Sequence, residues 1–198
     1  MNRSSATNDS PDPVPSDAVP RGGQRRLILM RHAKSDWSGP EVADHDRQLN
    51  DRGRRDAPEM AQWLSDQGYR PDLILCSSAT RTQQTADLML QQWTNPPRLA
   101  ICRPLYLSSP QTIFETLHTE TIVADDDRSP GPKTILVLAH NPGISEAAGW
   151  LCGQMAALPT AALAVFRCQI ESWNDSLNPK LATMIAVMKP KALPQRDN

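Results

Sequence analysis

Short apolar runs alternate along the chain with stretches whose apolar residues recur at helical spacing. Arg26-Leu-Ile-Leu-Met30, Asp72-Leu-Ile-Leu-Cys76 and Thr134-Ile-Leu-Val-Leu-Ala139 have no polar face. A strand apolar on both sides belongs in a sheet covered on both faces, the usual setting of parallel strands. After the first run, residues 50–68 predict a helix, because Ala57, Met60, Ala61, Trp63 and Leu64 recur near its period and Gly68 is placed to end it. Pro58 lacks an amide hydrogen and suits a first turn, so the regular helix is expected to begin near it. A second helix is predicted over 80–93, an edge strand over 99–103 and a short helix over 110–118. Pro142 is placed to open a helix through about Cys152, and residues 162–170 and 181–188 are strand candidates for an antiparallel finish. Strands alternating with helices predict a doubly wound α/β fold with a mostly parallel sheet flanked by helices.

The ends read differently. Residues 1–24 hold Pro11, Pro13, Pro15, Pro20, Gly22 and Gly23 among Ser, Asp and Asn, too little apolar surface to offset chain entropy. A disordered tail is expected there, a flexible C-terminal tail over 190–198, and a surface loop over 125–132. That leaves one domain over 25–189, an ordinary size within the 198 residues. The net charge of −1 offers no field for nucleic acid or an anionic membrane. No apolar run approaches the ~20 residues of a membrane span, and the first ten residues lack the apolar stretch of a signal peptide. A cytoplasmic protein is expected. Cys76, Cys102, Cys152 and Cys168 lie far apart, with no close pair of the zinc-binding kind, and read as free thiols. The histidines (His32, His45, His118 and His140) show no metal-binding spacing on a helix either, so neither metal nor cofactor is expected.

Candidate chemistry collects where the strongest strands end. The first runs into Arg31-His32, the second into Ser77-Ser-Ala-Thr-Arg81, the third into His140-Asn-Pro142. Ligands of an open α/β sheet bind at the carboxyl ends of its strands, beside helix N-termini. If the three strands are parallel neighbours, two guanidiniums and two imidazoles converge. Such a cluster suits a phosphoryl group, whose oxygens take forked cationic donors and helix N–H groups. No Walker-type loop and no Gly-x-Ser-x-Gly motif competes with it.

On these residues the chain resembles the histidine phosphatase superfamily, with its phosphoglycerate mutase-like fold. The signature of that family is Arg-His at the end of the first strand. Arg31-His-Ala-Lys-Ser-Asp-Trp37 looks like its small SixA-like branch of protein phosphohistidine phosphatases. Asp46-Arg-Gln-Leu-Asn-Asp-Arg-Gly53, Ser77-Ser-Ala-Thr-Arg-Thr-Gln-Gln-Thr-Ala86 and Ala139-His-Asn-Pro-Gly-Ile144 match in the same order, so the likeness spans about residues 25–155.

The resemblance implies that His32 attacks phosphorus and becomes a phosphohistidine that water hydrolyses, while Arg31, Arg81 and His140 hold the phosphoryl oxygens. The physics agrees: a histidine nucleophile must be neutral, and flanking guanidiniums disfavour its protonated form. The same cations stabilise charge on the transferring group, so no magnesium is required. The state of His140, neutral or charged, is left open. For the proton donor, larger family members use a Glu in a later insertion that this chain lacks. Asp44 is the nearest match to the small members, with Asp46, Asp36 and Glu115 as competitors. Arg47 is expected to order the loop carrying Asp44, Gly53 to cap a turn, and Lys34 and Trp37 either to border the pocket or to lie in solvent and over the sheet edge.

Phosphohistidine protein is the expected substrate, since imidazole leaves with less protonation than an alkoxide. The same four residues would also serve a phosphatase of small phosphomonoesters. A non-catalytic phosphate or phosphoprotein binder is a third reading, although a binder has no need to keep both histidines.

Overall fold

The structure is a computed structural model, in which residues 23–37, 41–124 and 131–193 are described. The tail expected over 1–24 lies outside this set except for Gly23 and Gln24, as do residues 125–130 and 194–198. Six strands form one sheet: β1 (Arg25–Arg31), β2 (Leu73–Ser77), β3 (Arg98–Cys102), β4 (Thr134–Ala139), β5 (Leu163–Cys168) and β6 (Ala182–Met188). Their order is β3-β2-β4-β1-β5-β6. The first four run parallel, and β5 and β6 finish the sheet with antiparallel pairings, β5 beside β1 and β6 beside β5.

Alternation along each apolar strand feeds two cores. Leu27, Leu29, Leu73, Leu75, Ile135 and Val137 face α3 (Pro110–Ala124) and α4 (Gly143–Cys152) through Ile113, Leu117, Ile144, Ala147 and Leu151. Ile28, Met30, Ile74, Cys76, Leu136 and Leu138 face α1 (Asp51–Asp66) and α2 (Thr80–Leu90) through Ala57, Met60, Ala61, Leu64, Ala86 and Met89. Both faces of β1, β2 and β4 are therefore dry, which is why those strands carry no polar side. Four helices on two faces make the fold α/β and doubly wound.

Some boundaries differ from the pattern, for local reasons. Helix α1 starts well before Pro58, because the Asn50 side chain accepts the Gly53 amide at 3.0 Å and caps the helix there. Pro58 sits inside the helix, where its apolar neighbours hold the turn it cannot hydrogen-bond. Gly68 follows the C-terminus at φ 66°, the left-handed conformation that closes a helix. Helix α2 stops at Leu90 rather than Trp93, and the buried Trp93 donates its indole N–H to Ser65 at 2.7 Å. Helix α3 runs to Ala124, past the expected end, with Thr121 bonded back to the Leu117 carbonyl at 2.8 Å. Pro190–Ala192 form a turn and Leu193 packs partly against the core. All four cysteines are free. Burial pushes the Cys102 and Cys168 thiols up to about 12, so they stay protonated and unreactive. No helix among the described residues is long and apolar enough to cross a membrane.

Register sets the working edge. Met30 pairs with Leu138, and Leu138 with Cys76, so β1, β4 and β2 end level with one another. Two glycines let helices abut the loops beyond that edge. A Cβ on Gly53, in the first turn of α1, would overlap the Lys34 carbonyl, and one on Gly143 would overlap that of Ser108. Gly53 thus serves a close approach rather than a turn. Gly53→Ala and Gly143→Ala are each expected to destabilise the domain by about 1–3 kcal/mol, the usual cost of forcing packed backbone apart. Denaturant midpoints check this, and an unchanged midpoint for either variant would mean its helix is not held against the loop.

Candidate active site

Three strand ends and one helix start supply the site. His32 directly follows β1, its amide donating to the Ala139 carbonyl at 3.1 Å and its carbonyl accepting from Ala161 at 3.0 Å. His140 directly follows β4, and Ser77 is the last residue of β2. Arg81 lies in the first turn of α2, only 2% exposed. Thr85 ties this helix to the first loop, accepting from the Ala33 amide at 3.1 Å and donating to the Arg81 carbonyl at 2.6 Å. A single 3-10 turn, Asp44–Asp46, brings Asp44 over the cluster.

The His32 and His140 rings lie 5.1 Å apart between centroids, on the same side of the strand ends. Their partners assign their protons. His32 Nδ1 donates to the Ala33 carbonyl at 2.7 Å, which leaves Nε2 as a lone pair accepting from Arg81 Nε at 3.3 Å. His140 Nδ1 accepts from Arg81 Nη2 at 3.3 Å, so its Nε2 donates to the Ser77 hydroxyl at 2.7 Å. One guanidinium thus covers a lone pair on each ring. Burial first, then the neighbouring His140 and the Arg81 and Arg31 cations, lower His32 to about 3, with the Ala33 hydrogen bond opposing. Burial first, then Arg81 and Arg31, do the same for His140, with Asp44 opposing. Both rings are neutral at ordinary pH.

Asp44 closes the arrangement from outside. Its backbone carbonyl accepts from Arg81 Nη1, and its Oδ2 accepts from Arg81 Nη2 at 2.9 Å and from the Tyr106 hydroxyl at 2.7 Å. Its Oδ1 pairs with Arg47 at 3.3 Å. Partial burial alone would raise Asp44, but the Tyr106 hydroxyl, Arg81 and Arg47 hold it below the usual carboxylate range. Arg47 in turn donates to Ser35 Oγ at 2.8 Å and stacks under the Trp37 ring at 3.5 Å.

These residues enclose a half-open cavity of about 260 Å³ that has Arg31, Lys34, Arg47 and Arg81 in its wall and, among the described residues, Asp44 as its one carboxylate. Arg31 Nε is buried with no hydrogen-bond partner among the described residues. Four cations against one carboxylate, with both imidazoles neutral, make a receptor for an anion. A larger hollow of about 460 Å³ at the opposite end of the sheet, between Arg70 and Arg98, has no histidine or cysteine among the described residues that line it. It offers no imidazole or thiol nucleophile. Among the described residues no group of three or more His, Cys, Asp or Glu could hold a metal ion.

Arg31, His32, Arg81, His140 and Asp44 therefore share one cavity, and Lys34 and Trp37 border it. Asp36, Asp46 and Glu115 do not line it: Asp46 pairs with His45, and Glu115 accepts from Gln111 on the surface of α3. Three contributors escaped the sequence pattern. Ser77 and Thr85 lie within the Ser77–Ala86 motif, where only Arg81 stands out by charge. Tyr106 sits in the connection after β3, which carries no motif at all.

The model of the histidine phosphatase superfamily (branch 1) matches residues 27–100. An uncharacterized chloroplastic protein of Arabidopsis thaliana is 36% identical over 154 residues, 77% of this chain and 70% of its own. An uncharacterized protein of Mycobacterium tuberculosis strain H37Rv is 34% identical over 173 residues, 82% of this chain and all of its own. Among solved structures, a protein of Nakamurella multipartita assigned as the phosphohistidine phosphatase SixA superposes with a TM-score of 0.70 at 26% identity, covering 88% of this chain and all of that one. Fold, site and relatives define a phosphatase, a hydrolase of phosphorylated substrates. The chain belongs to the histidine phosphatase superfamily, with the small SixA-like members.

The two buried imidazoles make stability depend on pH. Their value is about 3 folded against 6.5 for a free side chain, so below 6.5 the unfolded chain binds protons that the folded one refuses. Stability present above pH 6.5 is therefore lost progressively as pH falls toward 3. The melting temperature is expected to drop between pH 6.5 and 4, and less steeply in His32→Asn. Parallel curves for the two proteins would contradict the neutral burial of His32.

Proposed function

We propose that the chain is a metal-independent protein phosphohistidine phosphatase that works through a phosphorylated His32. One observation carries the choice of substrate: the carboxylate at the mouth, Asp44, is held ionised by three donors. An ionised carboxylate is a poor general acid, and general acid catalysis matters most when the leaving group is a poor one. Imidazole leaving phosphorus needs little help, because its other ring nitrogen can already carry a proton. An alkoxide needs a full proton at the moment of cleavage.

The phosphoryl dianion enters among Arg31, Arg81, Lys34 and the two rings. With Arg81 held in place by Asp44, the phosphoryl oxygens replace the ring lone pairs as acceptors of its Nε and Nη2 hydrogens, and the Arg31 guanidinium in the cavity wall takes another. The freed His32 Nε2 pair attacks phosphorus as the P–N bond to the substrate breaks in line. The leaving ring keeps that electron pair and is protonated by solvent, with Asp44 the nearest side chain able to relay a proton. The bound dianion draws a proton from solvent onto His140 Nδ1, and that N–H donates a hydrogen bond to a phosphoryl oxygen. Water then attacks phosphorus, the Nε2–P bond breaks, and inorganic phosphate departs with His32 neutral again. The guanidiniums supply the positive charge that this transfer needs. The cytoplasmic setting belongs to the same proposal, supported by four unpaired cysteines, of which three are buried.

A protein phosphorylated on histidine is expected to be hydrolysed with a kcat/KM at least about 10²-fold above that of alkyl phosphomonoesters, the range of a missing acid catalyst. EDTA should leave both rates unchanged, and His32→Ala should abolish them. Faster turnover of alkyl esters would identify a small-molecule phosphomonoesterase instead. Arg81→Lys keeps the charge but loses the fork, so it should lower kcat and kcat/KM together by roughly 10²-fold. A raised KM with unchanged kcat would assign Arg81 to ground-state binding alone.

A further inference from the structure

Tyr106 stands outside the cavity wall, yet it touches two of the groups that make the site, His140 and Asp44. It follows the turn Arg103–Leu105 after the edge strand, held there by the fully buried Leu105 and by its own amide bond to the Arg103 carbonyl at 3.1 Å. Its ring meets His140 edge-on at 5.5 Å and 88°, and His45 at 4.9 Å and 71°. Its hydroxyl reaches Asp44 Oδ2 at 2.7 Å. We propose that Tyr106 is a positioning residue: its hydroxyl pins the Asp44 carboxylate to the outer edge of Arg81, so that the inner edge stays aimed at the space beside His32 and His140 that the phosphoryl oxygens enter.

The geometry of the guanidinium makes the pin matter. Arg81 points Nη1 and one Nη2 hydrogen outward to Asp44, and Nε and the other Nη2 hydrogen inward to the two rings. A planar fork cannot move one edge without the other. The Asp44 side chain is 44% exposed, on a one-turn element, so little of the core restrains it. What fixes the carboxylate is Arg47 on Oδ1 and Tyr106 on Oδ2. Arg47, buried, bonded to Ser35 and stacked on Trp37, holds only Oδ1. Tyr106 is a rigid ring wedged between two imidazoles, and burial together with the Asp44 charge keeps its hydroxyl protonated and donating. Tyr106 therefore acts on phosphoryl transfer through Asp44 and Arg81, without touching the phosphoryl group.

The inference rests on phosphoryl transfer at this site, and the two can fail separately. Wild-type protein showing a burst with 4-nitrophenyl phosphate, lost in His32→Ala, establishes the transfer without reference to Tyr106. Tyr106→Phe keeps the ring and its edge contacts and removes only the hydroxyl. It should lower the burst rate constant about tenfold, as expected for one hydrogen bond to a charged group, while KM stays within about twofold. Asp44→Ala removes the partner through which the hydroxyl acts, so the double variant should be no slower than Asp44→Ala alone. Losses that multiply in the double variant would overturn the inference, as would a wild-type burst rate in Tyr106→Phe or a change confined to KM.

Discussion

A guanidinium taken out of water must have its hydrogens accepted and its charge balanced nearby, or it costs more than it contributes. Arg81, 2% exposed, meets that demand with Asp44 on one edge and two imidazole nitrogens on the other. Because the imidazoles serve as acceptors, they must be neutral. Because they are neutral and buried beside cations, they stay so far below ordinary pH. The lone pair on His32 Nε2, the nucleophile we propose, is thus a by-product of how Arg81 is satisfied. The same packing keeps Asp44 ionised, and with it the site lacks a strong acid.

The fold delivers this cluster through register. Level ends of β1, β4 and β2 put His32, His140 and Ser77 side by side, and α2 opens at Thr80, just past the end of β2 at Ser77, to add Arg81. No long insertion is needed over the sheet edge. Among the described residues, the turn with Asp44, Tyr106 and the Trp37–Arg47 stack lie beside it. Binding energy is therefore concentrated on the phosphoryl group itself. The leaving group meets an open mouth, which leaves room for a substrate attached to a larger molecule.

The sheet was legible because its parallel strands are short and apolar on both faces, a pattern that only burial between two helix layers requires. The meeting of Arg31, His32, Arg81 and His140 could be read for a related reason: each lies where an apolar run stops or a helix starts. The helix boundaries were less legible. Asn50 caps α1 locally, through the Gly53 amide, and outweighs Pro58, whereas Trp93 turns away from α2 to bond Ser65, a partner distant in sequence. Tyr106 was invisible for the same reason. Its importance comes from a hydroxyl contact with Asp44, 62 residues away, and the intervening chain carries no periodic trace of it. The charge state of Asp44 was equally out of reach, since it depends on three donors from three separate elements.

Catalysis as proposed requires that the lone pair on His32 Nε2, freed when the phosphoryl oxygens take over the Arg81 hydrogens, bonds to phosphorus. Rapid acid-free quenching of the enzyme with a ³²P-labelled phosphohistidine protein tests this most directly, followed by alkaline digestion and peptide mapping. The result expected is acid-labile, alkali-stable label on the peptide containing His32, chasing to inorganic phosphate at the rate of turnover. Label on the His140 peptide, or turnover with no labelled enzyme at any time, would contradict it.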